Sequence, residues 1–150
     1  PQHLGIIGGS NGGLLVGAVL TRRPELFKAV FSFVPLLDML RFHKLLAGAS
    51  WVAEYGNPEN PEERAYLASY SPYHTIKKDI LYPTTLIISS TKDDRVHPGH
   101  GRKMAAKMKE MGHDVFYVEN TDGGHSVGAN RRKTAYIVTL YYAFFHQQLK

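Results

Sequence analysis

The segment from His3 to Leu20 reads HLGIIGGSNGGLLVGAVL and crowds glycines around one serine, between two apolar runs. Glycine accepts positive φ and lets other backbone come close, so such a cluster marks a turn that ordinary side chains cannot make. Three kinds of site use a turn like this. The dinucleotide fingerprint G-x-G-x-x-G is supplied by no placement of Gly5, Gly8, Gly9, Gly12 and Gly13. Gly8 and Gly13 have the spacing of a P-loop, but Leu14 stands where its phosphate-binding lysine must be. Gly8, Gly9, Ser10, Asn11 and Gly12 match in full the third pattern, G-x-S-x-G, a sharp strand-to-helix turn that presents a serine hydroxyl.

The flanking sequence suits such a turn. Leu4–Gly8 is a short apolar run of the kind buried on both faces of a parallel sheet, and the residues after Gly12 continue with helical spacing. Ala29–Val34, Thr84–Ser90 and Asp114–Glu119 are three more candidate strands, rich in β-branched and aromatic residues. Between the last two, Met104, Met108 and Met111 share one face of a predicted helix that Gly112 is placed to cap. A final helix is expected from about Asn130 to Leu149. Strands alternating with helices imply a parallel sheet covered on both sides. Pro35–Pro83 breaks the alternation with helical pieces at LLDMLRFHKLL and PEERAYLASY around the loop YGNPENP, and a pocket is expected there.

A serine hydroxyl is a poor nucleophile until a base takes its proton and a third group orients the base. The α/β-hydrolase order is Ser, then Asp or Glu, then His, each on a loop beyond a strand end. STKDDRVHP follows the third strand and NTDGGHS the fourth, so Asp93 or Asp94 can orient His125, and His125 can serve Ser10. Taken singly, each has a plainer explanation. The glycine turn can be structural, an aspartate after a strand often caps the next helix, and a histidine in a glycine turn is usually a surface residue. Three such signals in the required order favour the catalytic reading. His97, His100 and His113 lie close in sequence, but Pro98 and Gly99 separate the first two and no carboxylate recurs at helical spacing, so solvated or capping roles are expected rather than a metal site. Trp51, Tyr55, Tyr66 and Tyr70 are core aromatics by default.

Composition narrows the classes. A chain of 150 residues that is 43% hydrophobic has enough apolar material for one domain with a core. It has no cysteine, which excludes disulfides and thiolate chemistry and is compatible with a cytoplasmic location. No apolar run reaches the length of a membrane span and no leader precedes the first strand. The net charge of +5 comes from scattered pairs such as Arg22 and Arg23 or Lys77 and Lys78, without the interleaved aromatics that nucleic-acid binding would want. The sequence starts at Pro1, almost inside a strand, and reads as part of a longer chain.

Five segments in order give a more specific resemblance: GGSNGG, DMLRFHKLLAGASWVAEYG, YSPYHTI, TKDDRVHPGHGRKM and the terminal GGH. The chain resembles the catalytic domain of the prolyl oligopeptidase family of serine peptidases over essentially its whole length. The resemblance implies the C-terminal half of an α/β-hydrolase fold, about four parallel strands in a three-layer α/β/α arrangement, without the domain's first strands or any propeller domain. It implies Ser10 as nucleophile, Asp93 as the acid, His125 as the base, and the Asn11 backbone as an oxyanion donor. It also implies Arg95 as the holder of a substrate carbonyl, Trp51 as the platform for a substrate proline, and Tyr55, Val96 and Leu36 around it. Its substrates would be short proline-containing peptides, and no metal, cofactor, membrane or nucleic acid is implied. Ser126 stands where a glycine is commoner, and the family's second oxyanion donor, a tyrosine, lies upstream of this stretch. A carboxylesterase, an acyl-peptide hydrolase or an inactive self-associating fragment would carry the same motifs. The elbow strand is expected at an open sheet edge, which favours a homo-oligomer.

Overall fold

The computed structural model describes residues 1–126 and 128–150. Its regular elements are β1 (Gly5–Gly9), α1 (Asn11–Arg22), β2 (Ala29–Phe33), α2 (Val52–Tyr55), α3 (Pro61–Tyr70), α4 (Pro72–Thr75), β3 (Thr84–Ser90), α5 (Gly99–Glu110), β4 (Val115–Asn120) and α6 (Arg131–Gln148). The strands form one sheet in the order β1-β2-β3-β4 and every pairing is parallel. Ile7, Phe31, Leu86 and Phe116 lie side by side across it.

Side chains alternate between the two faces of a strand, and each face has its own apolar cover. On one face Val30 and Ile87 pack with Val16 and Leu20 of α1 and Met104 and Met108 of α5. On the other, Phe31 and Leu86 pack with Ile137 and Phe144 of α6. This is the parallel sheet covered on both sides that the strand pattern implies, in the three-layer α/β-hydrolase arrangement that the resemblance implies. β1 forms an outer edge, with Leu4 and Ile7 each 49% exposed. Among the described residues, no helix is long and apolar enough to cross a membrane.

Because all four strands run the same way, their C-terminal ends open toward one rim, and Ser10, Val34, Thr91 and Thr121 start the loops there. A third cluster sits above it, where Leu14, Leu36, Met39, Phe42, Leu67 and Val96 pack with Trp51, Val52, Tyr55 and Tyr70. PEERAYLASY forms α3 as expected, started by Asn60, whose side chain accepts from the Glu62 and Glu63 amides. LLDMLRFHKLL does not form an α-helix. It runs as turns with short 3₁₀ pieces at Phe42–Lys44 and Leu46–Trp51. The cause is competition for a backbone acceptor: the Leu37 carbonyl, which a helix would pair with the Arg41 amide, accepts the Tyr73 amide at 3.0 Å, while the Leu37 and Asp38 amides donate to His100 Nδ1 and the Met39 amide to Ser71 Oγ, tying the start of the segment to distant residues.

Candidate active site

β1 ends and α1 begins with Ser10 alone between them, at φ 56 and ψ −118. That backbone is strained for a residue with a side chain, at a cost of about 1–3 kcal/mol. Its neighbours hold it there: the Ser10 amide donates to the Phe33 carbonyl at 3.0 Å, and the Leu14 amide donates to the Ser10 carbonyl at 3.2 Å. A Cβ on Gly8 would come within 2.1 Å of the Gly12 carbonyl oxygen, so the turn closes only over a bare Cα. A serine at a helix start usually turns its hydroxyl back onto the first-turn amides. Ser10 makes no such cap, and its Oγ lies 3.0 Å from His125 Nε2.

His125 belongs to the loop after β4 and Asp93 to the loop after β3. His125 Nδ1 lies 2.9 and 3.1 Å from the two Asp93 carboxylate oxygens. The Asp93 side chain is 1% exposed. A buried carboxylate needs donors on its lone pairs. Asp93 Oδ1 also accepts the backbone amides of Arg95 and Val96, each at 2.9 Å. Of the two candidate aspartates, Asp93 therefore faces His125, while Asp94 is exposed. The helix-capping role weighed against a catalytic one is not the one Asp93 plays: it accepts amides of the turn that precedes α5, and α5 starts after Pro98 without a side-chain cap.

Beside Ser10 a cavity of about 170 Å³ is lined by Ser10, Asn11, Leu36, Trp51, Glu54, Tyr55, Arg95 and Val96. Every residue expected at the substrate pocket is in that lining. Leu36 comes from the loop after β2, Trp51 and Tyr55 from the inserted segment, and Arg95 and Val96 from the turn built on Asp93. The Asn11 amide sits in the first turn of α1, where backbone donors have no acceptor within the helix and the helix dipole favours negative charge. Burial pushes the Tyr55 phenol up to about 12, helped by the nearby Glu54 and Tyr70, so its hydroxyl keeps its proton.

Two features were not anticipated. Glu54 joins the lining because α2 is a single turn, too short for its faces to be told apart by spacing. Behind Leu36, Asp38 is buried at 1% exposure against Lys103, with Arg41 and His74 farther off. Burial opposes the Asp38 charge, but the hydrogen bond and charge of Lys103 outweigh it and hold the carboxyl below its ordinary range. The three clustered histidines take separate roles. His97 Nδ1 accepts the Gly99 amide, His113 Nε2 lies 2.9 Å from the Lys77 carbonyl, and His100 anchors the chain at Leu37 and Asp38.

A parallel sheet with a strained serine at the end of one strand, and a histidine and an aspartate on the loops after two others, defines an α/β-hydrolase fold. The profile described as the prolyl oligopeptidase family matches residues 1–150. The chain is 52% identical over 147 residues to an uncharacterised peptidase of Sinorhizobium fredii, covering 98% of this chain and 20% of that protein. It is 44% identical over 131 residues to a prolyl endopeptidase of Elizabethkingia miricola, covering 85% of this chain and 19% of the relative. Among solved structures, a post-proline cleaving enzyme from Rickettsia typhi superposes with a TM-score of 0.97 at 43% identity, over 99% of this chain and 22% of the other. The chain belongs to the prolyl oligopeptidase family. It spans about a fifth of the length of the curated relatives it matches.

Proposed function

We propose that residues 1–150 form the triad-bearing part of a serine peptidase domain that cleaves short peptides after proline through an acyl-enzyme. The observation that carries this reading is the continuous hydrogen-bond path from Asp93 through His125 to Ser10, ending beside the cavity that Trp51 lines. In the productive tautomer His125 Nδ1–H donates to Asp93, leaving Nε2 to accept the Ser10 proton. Ser10 Oγ attacks the carbonyl carbon of the substrate proline, and the resulting oxyanion accepts from the Asn11 amide. His125 then passes its proton to the leaving amine nitrogen as the C–N bond breaks. Water, deprotonated by the same Nε2, attacks the acyl ester and releases Ser10.

A proline ring is compact and apolar, so an indole face with Tyr55, Leu36 and Val96 around it recognises the ring without hydrogen bonds. Arg95 at the cavity mouth holds a carbonyl of the preceding residue. The names of the Elizabethkingia and Rickettsia relatives support the same substrate class. The open edge of β1 supports self-association of the 150-residue chain. A cytoplasmic setting, which a chain without cysteine tolerates, belongs to the same reading, and cell fractionation tests it.

The direct experiment is labelling with a fluorophosphonate, followed by peptide mapping. Modification of Ser10 that is lost in Ser10→Ala supports the serine-hydrolase reading; an unlabelled parent chain overturns it. Faster labelling by a proline phosphonate than by its alanine counterpart supports cleavage after proline. Equal rates would favour the carboxylesterase or acyl-peptide hydrolase alternative.

A further inference from the structure

We propose that the Tyr55 hydroxyl positions the oxyanion donor, so that the wall of the proline pocket and the Asn11 amide act as one hydrogen-bonded unit. The inference rests on the serine-hydrolase reading. Tyr55 Oη donates to Asn11 Oδ1 at 2.8 Å, joining α2 to the residue that follows Ser10. Asn11 is otherwise exposed, and this bond fixes the direction in which its side chain leaves the helix start.

The ring that carries the hydroxyl is itself held. Phe42, fully buried, meets it edge-on with centroids 5.6 Å apart and an interplanar angle of 84°. Tyr55 and Trp51 stand four residues apart, about one helical turn, and both line the cavity. An apolar group in the cavity therefore bears on the Tyr55 ring, and the ring's hydroxyl bears on Asn11. Phenylalanine would supply the same apolar surface, so pocket lining alone gives no reason for the hydroxyl. The raised phenol pKa keeps it a donor through the neutral and mildly alkaline range.

Tyr55 in this role touches no reacting atom; it acts through Asn11. A group that merely lines the pocket changes how tightly a substrate is held. A group that aims the oxyanion donor changes the rate at which bound substrate reacts.

The test uses the 150-residue chain and two blocked dipeptide diphenyl phosphonates, one ending in proline and one in alanine, whose P=O oxygen occupies the oxyanion position. For each, the limiting rate of Ser10 modification and the half-saturating concentration are measured. Tyr55→Phe should lower the limiting rate for the proline probe by about three- to tenfold, the range expected for one neutral hydrogen bond, with half-saturation unchanged. The loss should be smaller for alanine, which presses less on the ring. Asn11→Ala, which keeps the backbone amide, should give a similar loss, and the double variant should add nothing to either single one. Asn11→Ala interrogates the same bond from its other end and carries the test if Tyr55→Phe does not fold. A labelled parent whose variants react at its own rate, a loss confined to half-saturation, or additive losses in the double variant would overturn the positioning role alone. A parent chain that is not labelled at all overturns the serine-hydrolase reading, and this inference falls with it.

Discussion

Acidification should destabilise the fold well before its carboxylates titrate, and His100 is the reason. The ring is 2% exposed, and its Nδ1 accepts two backbone amides, from Leu37 at 3.3 Å and Asp38 at 3.0 Å. An imidazolium cannot accept at Nδ1. Burial is the main cause that pushes the group from 6.5 down to about 4; Asp38 pulls the other way, and Lys103 and His97 reinforce the fall. The folded state thus binds fewer protons than the unfolded one between about pH 6.5 and 4, so stability is complete above that window and falls as pH drops through it. At pH 5 the loss from this one residue comes to about 2 kcal/mol, rising to roughly 3 below pH 4. Urea unfolding followed by the fluorescence of Trp51, the single tryptophan, would measure it at a series of pH values. His74 is also pushed down by burial and adds in the same direction, so the difference between parent and His100→Leu isolates His100. The variant should be less stable near neutrality, because two amides lose their acceptor, yet flatter from pH 6.5 to 5. An unchanged slope in His100→Leu would refute the reasoning.

Other expectations concern the site and the sheet edge. Asp93→Asn should slow Ser10 labelling by up to about 10⁴-fold, since an asparagine facing His125 favours the wrong tautomer, and labelling kinetics would reveal it. Trp51→Ala should reduce reactivity toward proline probes by about 1–3 kcal/mol more than toward alanine probes; equal losses would reduce Trp51 to a core residue. Sedimentation velocity should show the 150-residue chain associating, and a charged residue at Ile7, half-exposed on the edge strand in register with Phe31, should weaken that association.

Local and short-range signals made much of this molecule legible. The four strands, α1, α3, α5 with Gly112 beyond its end at φ 86, and α6 all follow from apolar spacing and cap chemistry. Ser10, Asp93 and His125 could be placed at one rim because parallel strands leave no other place for loops that follow their C-terminal ends. The segment from Leu36 to Leu46 has helical spacing in its apolar residues, and what diverts it is the pairing of its Leu37 carbonyl with the Tyr73 amide and the tethering of its start to His100 and Ser71, all more than 30 positions away. The same distance hid the burial of Asp38 against Lys103, since neither side chain carries any mark of the other in its own neighbourhood. Tyr55 could be assigned to the pocket, but its bond to Asn11 joins residues 44 positions apart and depends on the fold as a whole.

The turn after β3 bears on how such a site could change over time. Asp93 grips the chain at Arg95 and Val96 through their amides, which every residue but proline possesses. The exposed side chain at 95 is thus free to vary while the carboxylate stays aimed at His125, whereas the one at 96 is also held in the apolar cluster with Leu36 and Phe42. On the proposed reading, substrate preference at the cavity mouth can drift by substitution at 95 without a matching change in the proton-handling apparatus, provided that proline is kept out of 95 and 96.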